Sequence, residues 1–432
     1  MNATIRRDIY LDRLIRRRHN GRIKIVTGVR RCGKTYLLFK LFSEWLKGNG
    51  ADDSHIIKIN LEDRRNKSLR DPDALLAHID SMIKDDAMHY VMIDEIQHVP
   101  EFEDVLNSYL GMENVDVYVT GSNARFLSKD VITTFRGRGD EVRIYPLSFS
   151  EYHSASGLTK EEDWADYILY GGLPQTAYME TAEEKVTFLK SVFEETYLRD
   201  IKDRYNIARE EELETLLDII ASTVGSLTNP HKLENTFASL NHSDLSAVTI
   251  KKYLDYMCDS FLVERASRYD VKGRKYIDTP YKYYFVDAGL RNARLNFRQP
   301  DKSHVMENII YNELKTRGYL VDVGIVDHRD NTGDGTYRKR QYEVDFVANL
   351  AGKRYYIQST LTLLNEGKLE QELKSLSLIR DSFRKIVITR DKIKPRCTEN
   401  GILTIDLFDL RVYEYYLKRY WPKQNSRLRQ YE

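Results

Sequence analysis

Eight consecutive residues near the start of the chain combine two glycines, a lysine and a threonine at a spacing that suits phosphate binding. They are Gly28, Val29, Arg30, Arg31, Cys32, Gly33, Lys34 and Thr35. The pattern G-x-x-x-x-G-K-[ST] lies between an apolar strand candidate and a helix candidate that opens at Tyr36. Glycines permit a tight loop whose backbone N–H groups surround phosphate oxygens, and the helix N-terminus adds partial positive charge.

Lys34 and Thr35 supply the side-chain chemistry of this loop. A lysine at this position reaches the β- and γ-phosphates, and the adjacent hydroxyl is a ligand for Mg²⁺. Residues 28–36 are therefore predicted to bind ATP together with Mg²⁺. The competing interpretation is a chance match in an ordinary loop, which the flanking strand and helix disfavour.

A second candidate element is the apolar stretch 89–93, which ends in two carboxylates. Asp94 is predicted to hold Mg²⁺ through water, as P-loop enzymes require at such a strand end. Glu95 is then the candidate general base for the attacking water. A strand that simply ends in a polar turn is the alternative, but the position after the phosphate-binding loop favours hydrolysis.

Polar residues that could reach the γ-phosphate follow the next two strand candidates. Ser122 and Asn123 follow the strand at 116–120, and the sequence does not fix which of them points inward. Asn123 is taken as the catalytic candidate, with ordinary turn chemistry as the alternative. Arg138 is the first candidate, and Arg136 the second, for a guanidinium that stabilises charge in the transition state. It could act in cis or from a second copy in trans. A solvated basic turn is the competing interpretation.

Alternating strand and helix candidates must position these residues. Val-, Ile- and Tyr-rich stretches alternate with helical patterns, which predicts a parallel sheet covered by helices and hence the α/β class. The strand candidates are 23–27, 55–61, 90–93, 115–120 and 141–144. Beyond residue 145 the chain is mostly helical until a second α/β stretch begins near residue 303.

Five short segments together resemble the prokaryotic AAA-type ATPases of the STAND class, in the subgroup with a C-terminal domain of unknown function. The segments are 28–35, 93–97, 119–123, 136–138 and 145–149. The resemblance covers nearly the whole chain and is most specific in the ATPase part. It implies a helical lid in which Pro174, within Gly172-Leu173-Pro174, contacts the adenine. A plain helix break, which Gly-Gly-x-Pro produces by itself, is the alternative.

Residues 211–277 fit a winged helix, with three helix candidates followed by a hairpin candidate. If the third helix enters a major groove, Thr249, Lys251 and Lys252 lie nearest to DNA. The resemblance offers another interpretation, because in STAND ATPases this module often packs on the ATPase core and relays its state.

The C-terminal part resembles the PD-(D/E)XK nuclease core. That chemistry needs clustered carboxylates for Mg²⁺ and a lysine, and Glu307 and Asp345 match the ligand positions. Gln358 stands in place of an acid and Thr360 in place of the lysine. Because an amide binds Mg²⁺ poorly and Thr360 carries no charge, nuclease activity is not expected. The prediction is a nuclease-like fold retained for binding or assembly, with Glu307, Asp345 and Gln358 as a remnant site.

Two further lysines, Lys353 and Lys368, lie near enough in sequence to replace the missing one, although nothing in the pattern demands either. Glu343 is the remaining acid of this region that the remnant site or structural hydrogen bonds could use.

Composition limits the other possibilities. Lys plus Arg total 67 and Asp plus Glu total 66, so there is no global charge signature for nucleic acid. The basic helix candidate at 4–19 is read as a face packed on the next domain, rather than a contact with nucleic acid or lipid. Three scattered cysteines, no apolar run of ~20 residues and no apolar signal core predict a cytoplasmic protein without a membrane segment.

These patterns predict five parts: an N-terminal amphipathic helix (1–20), an AAA-type ATPase core (21–150), a helical lid (151–205), a winged helix (206–285) and a nuclease-like α/β domain (286–432). The first functional hypothesis is an ATP-hydrolysing switch that couples nucleotide state to C-terminal modules binding DNA, a protein partner or a second copy. The alternatives are an ATP-gated, Mg²⁺-dependent nuclease and a non-catalytic, nucleotide-dependent binding module.

Overall fold

The computed structural model describes residues 4–121, 138–239, 245–298, 301–331, 337–363 and 373–408. The chain divides into two compact units that each combine separate stretches of sequence. The first consists of Met1–Asp218, Thr249–Glu264 and Phe285–Arg298. The second consists of Ile219–Val248, Arg265–Tyr284 and Gln299–Glu432.

A parallel sheet, five-stranded over the described residues, forms the centre of the first unit and has the order β2-β3-β4-β1-β5. All residues of β1 and β3 are buried, as expected for a parallel sheet covered on both faces. This arrangement confirms the predicted α/β class. The strands are β1 (Ile23–Gly28), β2 (Ile56–Asn60), β3 (His89–Asp94), β4 (Val115–Gly121) and β5 (Gly139–Ile144).

Among the helices of the first 205 residues, α4 and α5 bury their apolar sides against this sheet. Leu75 and Ile79 of α4 and Leu106 of α5 are fully buried against strand residues such as Val91. The α-helices are α1 (Asp8–Arg17), α2 (Lys34–Tyr36), α3 (Ser43–Gly48), α4 (Pro72–Met82), α5 (Phe102–Ser108), α6 (Phe149–Ser156), α7 (Lys160–Tyr170), α8 (Ala182–Ser191) and α9 (Arg199–Tyr205). The π-helical segments Leu37–Phe42 and Val192–Leu198 join α2 to α3 and α8 to α9.

Local sequence sets where several of these helices begin. The N-caps of α6, α7 and α8 are Ser148, Thr159 and Thr181, and each forms a capping box with the glutamate three residues later. In α4, the Asp71 side chain accepts from the Ala74 backbone N–H at 2.9 Å, and a proline follows at the first helical position.

The remaining helices are α10 (Glu210–Ser222), α11 (Pro230–Ser239), α12 (Ala247–Asp259), α13 (Ala288–Arg294) and α14 (Lys302–Thr316). Two strands of the second sheet directly follow α12 in the chain. The short helix α13 belongs to the first unit and is almost wholly buried. None of the helices in the described ranges is both long and apolar enough to cross a membrane.

A second sheet, with nine strands among the residues described, forms the centre of the second unit. Its order is β13-β14-β12-β11-β10-β9-β7-β8-β6. The strands are β6 (Leu227–Thr228), β7 (Val263–Asp270), β8 (Lys275–Phe285), β9 (Leu320–Asn331), β10 (Tyr337–Leu350), β11 (Lys353–Thr360), β12 (Arg384–Thr389), β13 (Arg396–Cys397) and β14 (Ile402–Asp406). Strand β7 pairs in parallel with β9, so the hairpin assigned by sequence to the winged helix is continuous with the C-terminal strands.

Candidate functional site

The phosphate-binding loop turns sharply as it leaves β1. Gly28 has φ 145°, and a Cβ there would lie 2.3 Å from the Ile144 carbonyl oxygen. Gly33 has φ 97° and precedes α2 directly. The buried Lys34 ammonium donates to the carbonyl oxygens of Gly28 and Val29 at 3.0 and 3.1 Å. The loop therefore needs glycine at Gly28 for space, and it holds the lysine over its own backbone.

Thr35 and Asp94 meet at the carboxyl edge of the sheet. The Thr35 hydroxyl lies 3.0 and 2.9 Å from the two carboxylate oxygens of Asp94. A hydroxyl and a carboxylate side by side are the hard oxygen donors that suit Mg²⁺, so these two residues fit the metal that the fold implies. Burial raises the pKa of Asp94, although hydrogen bonds from Thr120 and Thr35 act in the opposite direction.

Thr120, the penultimate residue of β4, joins the two acidic residues. Its hydroxyl donates to Asp94 Oδ1 at 2.6 Å and accepts from the Glu95 backbone N–H at 2.9 Å. The sequence predicts this polar group at Ser122 or Asn123, which both lie outside the described residues, as does Arg136. A threonine at the end of a buried strand was the signal that could have identified it.

Glu95 leaves the strand in a left-handed conformation with φ 55° and ψ 49°. This backbone geometry costs a non-glycine residue about 1–2 kcal/mol. It ends β3 directly after Asp94, and the Glu95 side chain lines the neighbouring cavity. The Gln97 side-chain amide donates to the Glu95 carboxylate. The strained residue is thus the predicted general base, and strain of this kind concentrates at functional sites.

A cavity of about 470 Å³ opens beside the loop within the first unit. Most of the predicted nucleotide-binding residues line it, while Gly28, Val29, Cys32 and Asp94 are not among the lining residues. The predicted residues in its wall are Arg30, Arg31, Gly33, Lys34, Thr35, Tyr36, Glu95 and Pro174. The structure therefore brings together segments that are more than a hundred residues apart in sequence.

The cavity wall also contains residues that sequence reasoning missed. They are Ile5, Arg7, Glu62, Leu147, Gln175 and Tyr178. Arg7 precedes α1, and its buried guanidinium donates to the carbonyl oxygens of Cys32 at 3.1 Å and Tyr145 at 2.6 Å. It also pairs with Glu151 at 3.2 Å. Burial lowers the pKa of Arg7, but the Glu151 carboxylate together with Tyr10 and Cys32 outweighs this effect and raises the pKa.

Arg138 lies at the wrong edge of the sheet for the role in cis that the sequence suggested. It precedes β5, where Gly139 pairs with Ile23, whereas the loop leaves at the other end, where Gly28 pairs with Ile144. Five residues at ~3.3 Å each separate the two edges by about 17 Å. The exposed Arg138 therefore cannot reach a γ-phosphate bound in the same chain, because parallel strands place their amino and carboxyl ends on opposite edges.

Pro174 reaches the cavity because the segment before it is anchored from a distant part of the chain. Asp287, the N-cap of α13, accepts from the Gly172 backbone N–H at 2.7 Å and from the Leu290 N–H at 3.0 Å. A Cβ at Gly171, whose φ is 71°, would lie 2.1 Å from Asp287 Oδ1. Burial raises the Asp287 pKa to about 6, while the backbone hydrogen bonds act in the opposite direction.

Two acidic residues of the second unit, Glu307 of the predicted remnant site and Glu343, contact a lysine that sequence reasoning missed. Lys282 of β8 donates to Glu307 at 2.9 Å and pairs with Glu343 at 2.6 Å. Tyr284 also donates to Glu307, at 2.6 Å. Burial opposes the Lys282 charge, but Glu307, Glu343 and Asp345 outweigh it and raise the lysine's pKa. Sequence spacing could not reveal Lys282, because it comes from the hairpin rather than from β11.

The other two remnant residues bind each other. Gln358 donates to Asp345 Oδ1 at 3.0 Å and accepts from the Asp345 backbone N–H at 3.2 Å. The Ser359 N–H and hydroxyl both donate to Asp345 Oδ2, at 2.8 and 2.6 Å. Of the two substitute lysines suggested by sequence, Lys353 is exposed and Lys368 lies outside the described residues.

Two parts of the chain match known protein families. Residues 20–153 match the AAA domain family, and residues 161–301 match a domain of unknown function (DUF8612). The match, the loop and the five-stranded sheet of the described residues together define an AAA-type P-loop ATPase domain. A Walker-type ATPase of Pyrococcus abyssi resembles the chain with a TM-score of 0.46 and 12% identity, covering 68% of this chain and 96% of that one.

Two relatives match over most of their length. An uncharacterized protein of Haemophilus influenzae is 33% identical over 393 residues, which cover 90% of this chain and 94% of the relative. An uncharacterized protein of Methanocaldococcus jannaschii is 28% identical over 369 residues, covering 82% and 78%. The chain belongs to the same family as the Haemophilus influenzae protein.

Proposed function

We propose that this protein is an ATP-hydrolysing switch whose cavity binds Mg²⁺-ATP and whose nucleotide state is passed to the helical and C-terminal elements. The observation that carries the proposal is the continuous set of hydrogen bonds from Thr35 through Asp94 and Thr120 to Glu95. This set links the group expected to hold the metal to the group expected to act on water.

Each residue of the loop has a task that its position supports. The backbone N–H groups and Lys34 bind the β- and γ-phosphates, for which Lys34 exchanges its two backbone carbonyl contacts for phosphate oxygens. Thr35 and Asp94 would hold Mg²⁺, which when bound neutralises charge on the phosphates. Glu95 accepts a proton from the attacking water, and Gln97 keeps its carboxylate in place.

The same cavity wall offers a route for the switch. Arg7 and Ile5 from the N-terminal segment and Gln175 and Tyr178 after Pro174 line the space that a nucleotide would fill. Nucleotide binding would therefore change the contacts of two segments outside the sheet. Asp287 ties the second of these segments to α13, so a shift at Pro174 is transmitted to a helix more than a hundred residues later.

The decisive test is Mg²⁺-dependent ATP hydrolysis by the purified full chain. Lys34→Ala should abolish hydrolysis, and Glu95→Gln should abolish hydrolysis while ATP still binds. Lys67→Ala, which changes an exposed lysine of the same unit, is the matched control and should behave as wild type. Unchanged hydrolysis in Lys34→Ala would exclude the proposed function. ATP binding without turnover in the wild type would favour the non-catalytic binding module.

DNA is a proposed partner of the winged-helix segment. Lys251 and Lys252 are exposed on α12, as a contact with phosphates requires, whereas Thr249 is half-buried. Replacing both lysines with alanine should weaken DNA binding and reduce its salt dependence. Equal DNA affinity of the wild type and the double variant would contradict this role and favour a protein partner or a second copy.

The second candidate function is an ATP-gated, Mg²⁺-dependent nuclease. Lys282 supports it, because this residue brings to Glu307 and Asp345 the ammonium that β11 lacks. The existing hydrogen bonds of these carboxylates oppose it, since a metal ion would have to displace them. The nuclease hypothesis predicts DNA cleavage that is lost in Asp345→Ala. Absence of cleavage with Mg²⁺ or Mn²⁺ on single- and double-stranded DNA would exclude it.

A further inference from the structure

Three potential metal ligands meet at the edge of the first sheet that lies opposite the nucleotide cavity. His55 directly precedes β2, Asp85 lies in the turn before β3, and His89 is the first residue of β3. One ligand atom from each lies within 4.8 Å of the others. The amino ends of β2 and β3 form this edge, whereas Asp94 ends β3 at the other one. The cluster is thus separate from the proposed ATP site.

His89 is oriented as metal-binding histidines are. Its Nδ1 lies 2.7 Å from the Ala87 carbonyl oxygen, a contact in which the ring nitrogen must donate. The Nε2 atom then carries a lone pair, and its contact is the Lys84 backbone N–H at a long 3.4 Å. Ligating histidines commonly donate one ring N–H to a carbonyl, which fixes the ring and leaves the other nitrogen for the metal. The ring is fully buried and therefore already held in place.

His55 and Asp85 supply the other two donors. The His55 Nε2 lies 3.1 Å from both carboxylate oxygens of Asp85. A metal ion bound between these atoms would take the place of the hydrogen bond. The rings of His55 and His89 meet edge to face, with centroids 4.6 Å apart. Asp85 is exposed, which leaves the cluster open to water on one side.

The donor chemistry selects among metals. Two imidazole nitrogens and one carboxylate suit Zn²⁺, Co²⁺ or Ni²⁺ and are a poor set for Mg²⁺ or Ca²⁺, which prefer oxygen ligands. Bonds of about 2.0–2.1 Å in tetrahedral geometry place ligand atoms roughly 3.4 Å apart. The 4.8 Å limit on the present separations exceeds this distance by about 1.4 Å, so the cluster needs to contract by no more than that, and the exposed turn that carries Asp85 can supply movement of this size.

We propose that His55, Asp85 and His89 bind one divalent transition-metal ion, with water completing its coordination. The ion ties the segment before β2 to the turn before β3 and stabilises the amino edge of the sheet. The competing explanation is a hydrogen-bonded His55–Asp85 pair beside a core histidine, with no metal affinity.

The test is binding of Zn²⁺ or Co²⁺ alone to metal-stripped full-length protein, without nucleotide. We expect one equivalent by calorimetry, a Co²⁺ absorption spectrum with nitrogen ligation, and a higher thermal midpoint with Zn²⁺. His55→Ala and Asp85→Asn should each weaken binding by at least about 10-fold, because the first removes a ligand nitrogen and the second replaces a charged carboxylate with a neutral amide. Both replace residues that are not fully buried, so the variants should fold, and circular dichroism and ATP binding verify this.

Asp86→Asn and His98→Gln are matched controls, because both residues are exposed and neither belongs to the cluster. They should bind the metal as wild type does. Failure of the wild type to bind Zn²⁺ and Co²⁺, or equal binding by His55→Ala, Asp85→Asn and wild type, would overturn the proposal. Because ATP hydrolysis is measured separately with Lys34→Ala, neither outcome affects the proposed function.

Discussion

Replacing Lys282 with methionine removes the central cation from the carboxylate cluster of the second unit. Lys282 is 3% exposed and contacts Glu307 at 2.9 Å and Glu343 at 2.6 Å. Methionine retains much of the lysine's apolar stem, so the change deletes mainly the charge and its hydrogen bonds. The expected result is a large loss of stability in the second unit.

The size of the stability loss depends on how well water can rehydrate the carboxylates that lose their ion pair with Lys282. Breaking a buried ion pair by removing one partner costs roughly 3–5 kcal/mol. The Glu343 side chain is 36% exposed and can be rehydrated, whereas that of Glu307 is only 10% exposed. One carboxylate rather than two is left uncompensated, so the lower end of the range, about 3 kcal/mol, is expected.

The assay is differential scanning calorimetry combined with urea denaturation of the full chain, in which the unfolding of the two units can separate. Lys275→Met is the matched control, because Lys275 is an exposed residue of the same strand and should change stability by less than about 0.5 kcal/mol. Adding Glu307→Gln to Lys282→Met removes the stranded charge and should recover part of the loss.

A stability of Lys282→Met within about 0.5 kcal/mol of wild type would refute this reasoning, because it would mean that the cluster is hydrated and the lysine dispensable. A further loss, rather than a recovery, in the double variant would contradict the charge account and point to packing instead.

Three other predictions concern the first unit. Gly28→Ala should prevent the loop from closing and abolish ATP binding, because its Cβ would lie 2.3 Å from a carbonyl oxygen, whereas Gly111→Ala meets nothing within 4 Å; equal ATP affinity of both variants by calorimetry would contradict this. Thr120→Val should lower kcat about tenfold or more with little change in ATP affinity, since it removes the hydrogen bonds to Asp94 and Glu95; an unchanged kcat in a steady-state ATPase assay would exclude this role. Asp287 has a folded-state pKa of about 6 against an ordinary 3.8, so the folded state binds its proton more tightly. The contribution of protonated Asp287 to the free energy of unfolding is therefore fully present below about pH 4. It falls by about 3 kcal/mol, at ~1.4 kcal/mol per pH unit, as the pH rises to 6. Urea denaturation between pH 4 and 7 should show wild type losing this amount relative to Asp287→Asn, and parallel pH profiles of the two proteins would contradict it.

The part of the site that sequence predicted lies in contiguous segments. The loop from Gly28 to Thr35 and the pair Asp94–Glu95 contain their own chemistry, and strand and helix patterns on either side indicate where they stand. Most of the loop's predicted residues line the cavity together with Glu95, and Pro174 joins them there. Such motifs can be read locally because a turn and the following helix depend mainly on neighbouring residues.

The parts that sequence missed depend on which strands are neighbours. Thr120 reaches Asp94 because β4 lies beside β3, and Arg138 fails as a partner in cis because β5 begins at the opposite edge. Arg7 precedes its contact Tyr145 by 138 positions, and no periodicity in either segment indicates that they meet.

The sequence by itself determined that this chain has a phosphate-binding loop, an acidic strand end and an α/β core, because each rests on short-range spacing and on the burial of apolar strands. Tertiary structure alone decided that Thr120 joins the metal-side carboxylate to the general base, that Asp287 anchors the segment before Pro174, and that Lys282 occupies the carboxylate cluster. These contacts arise where separate segments converge in space, and strand order and register set that convergence over distances that local patterns do not encode.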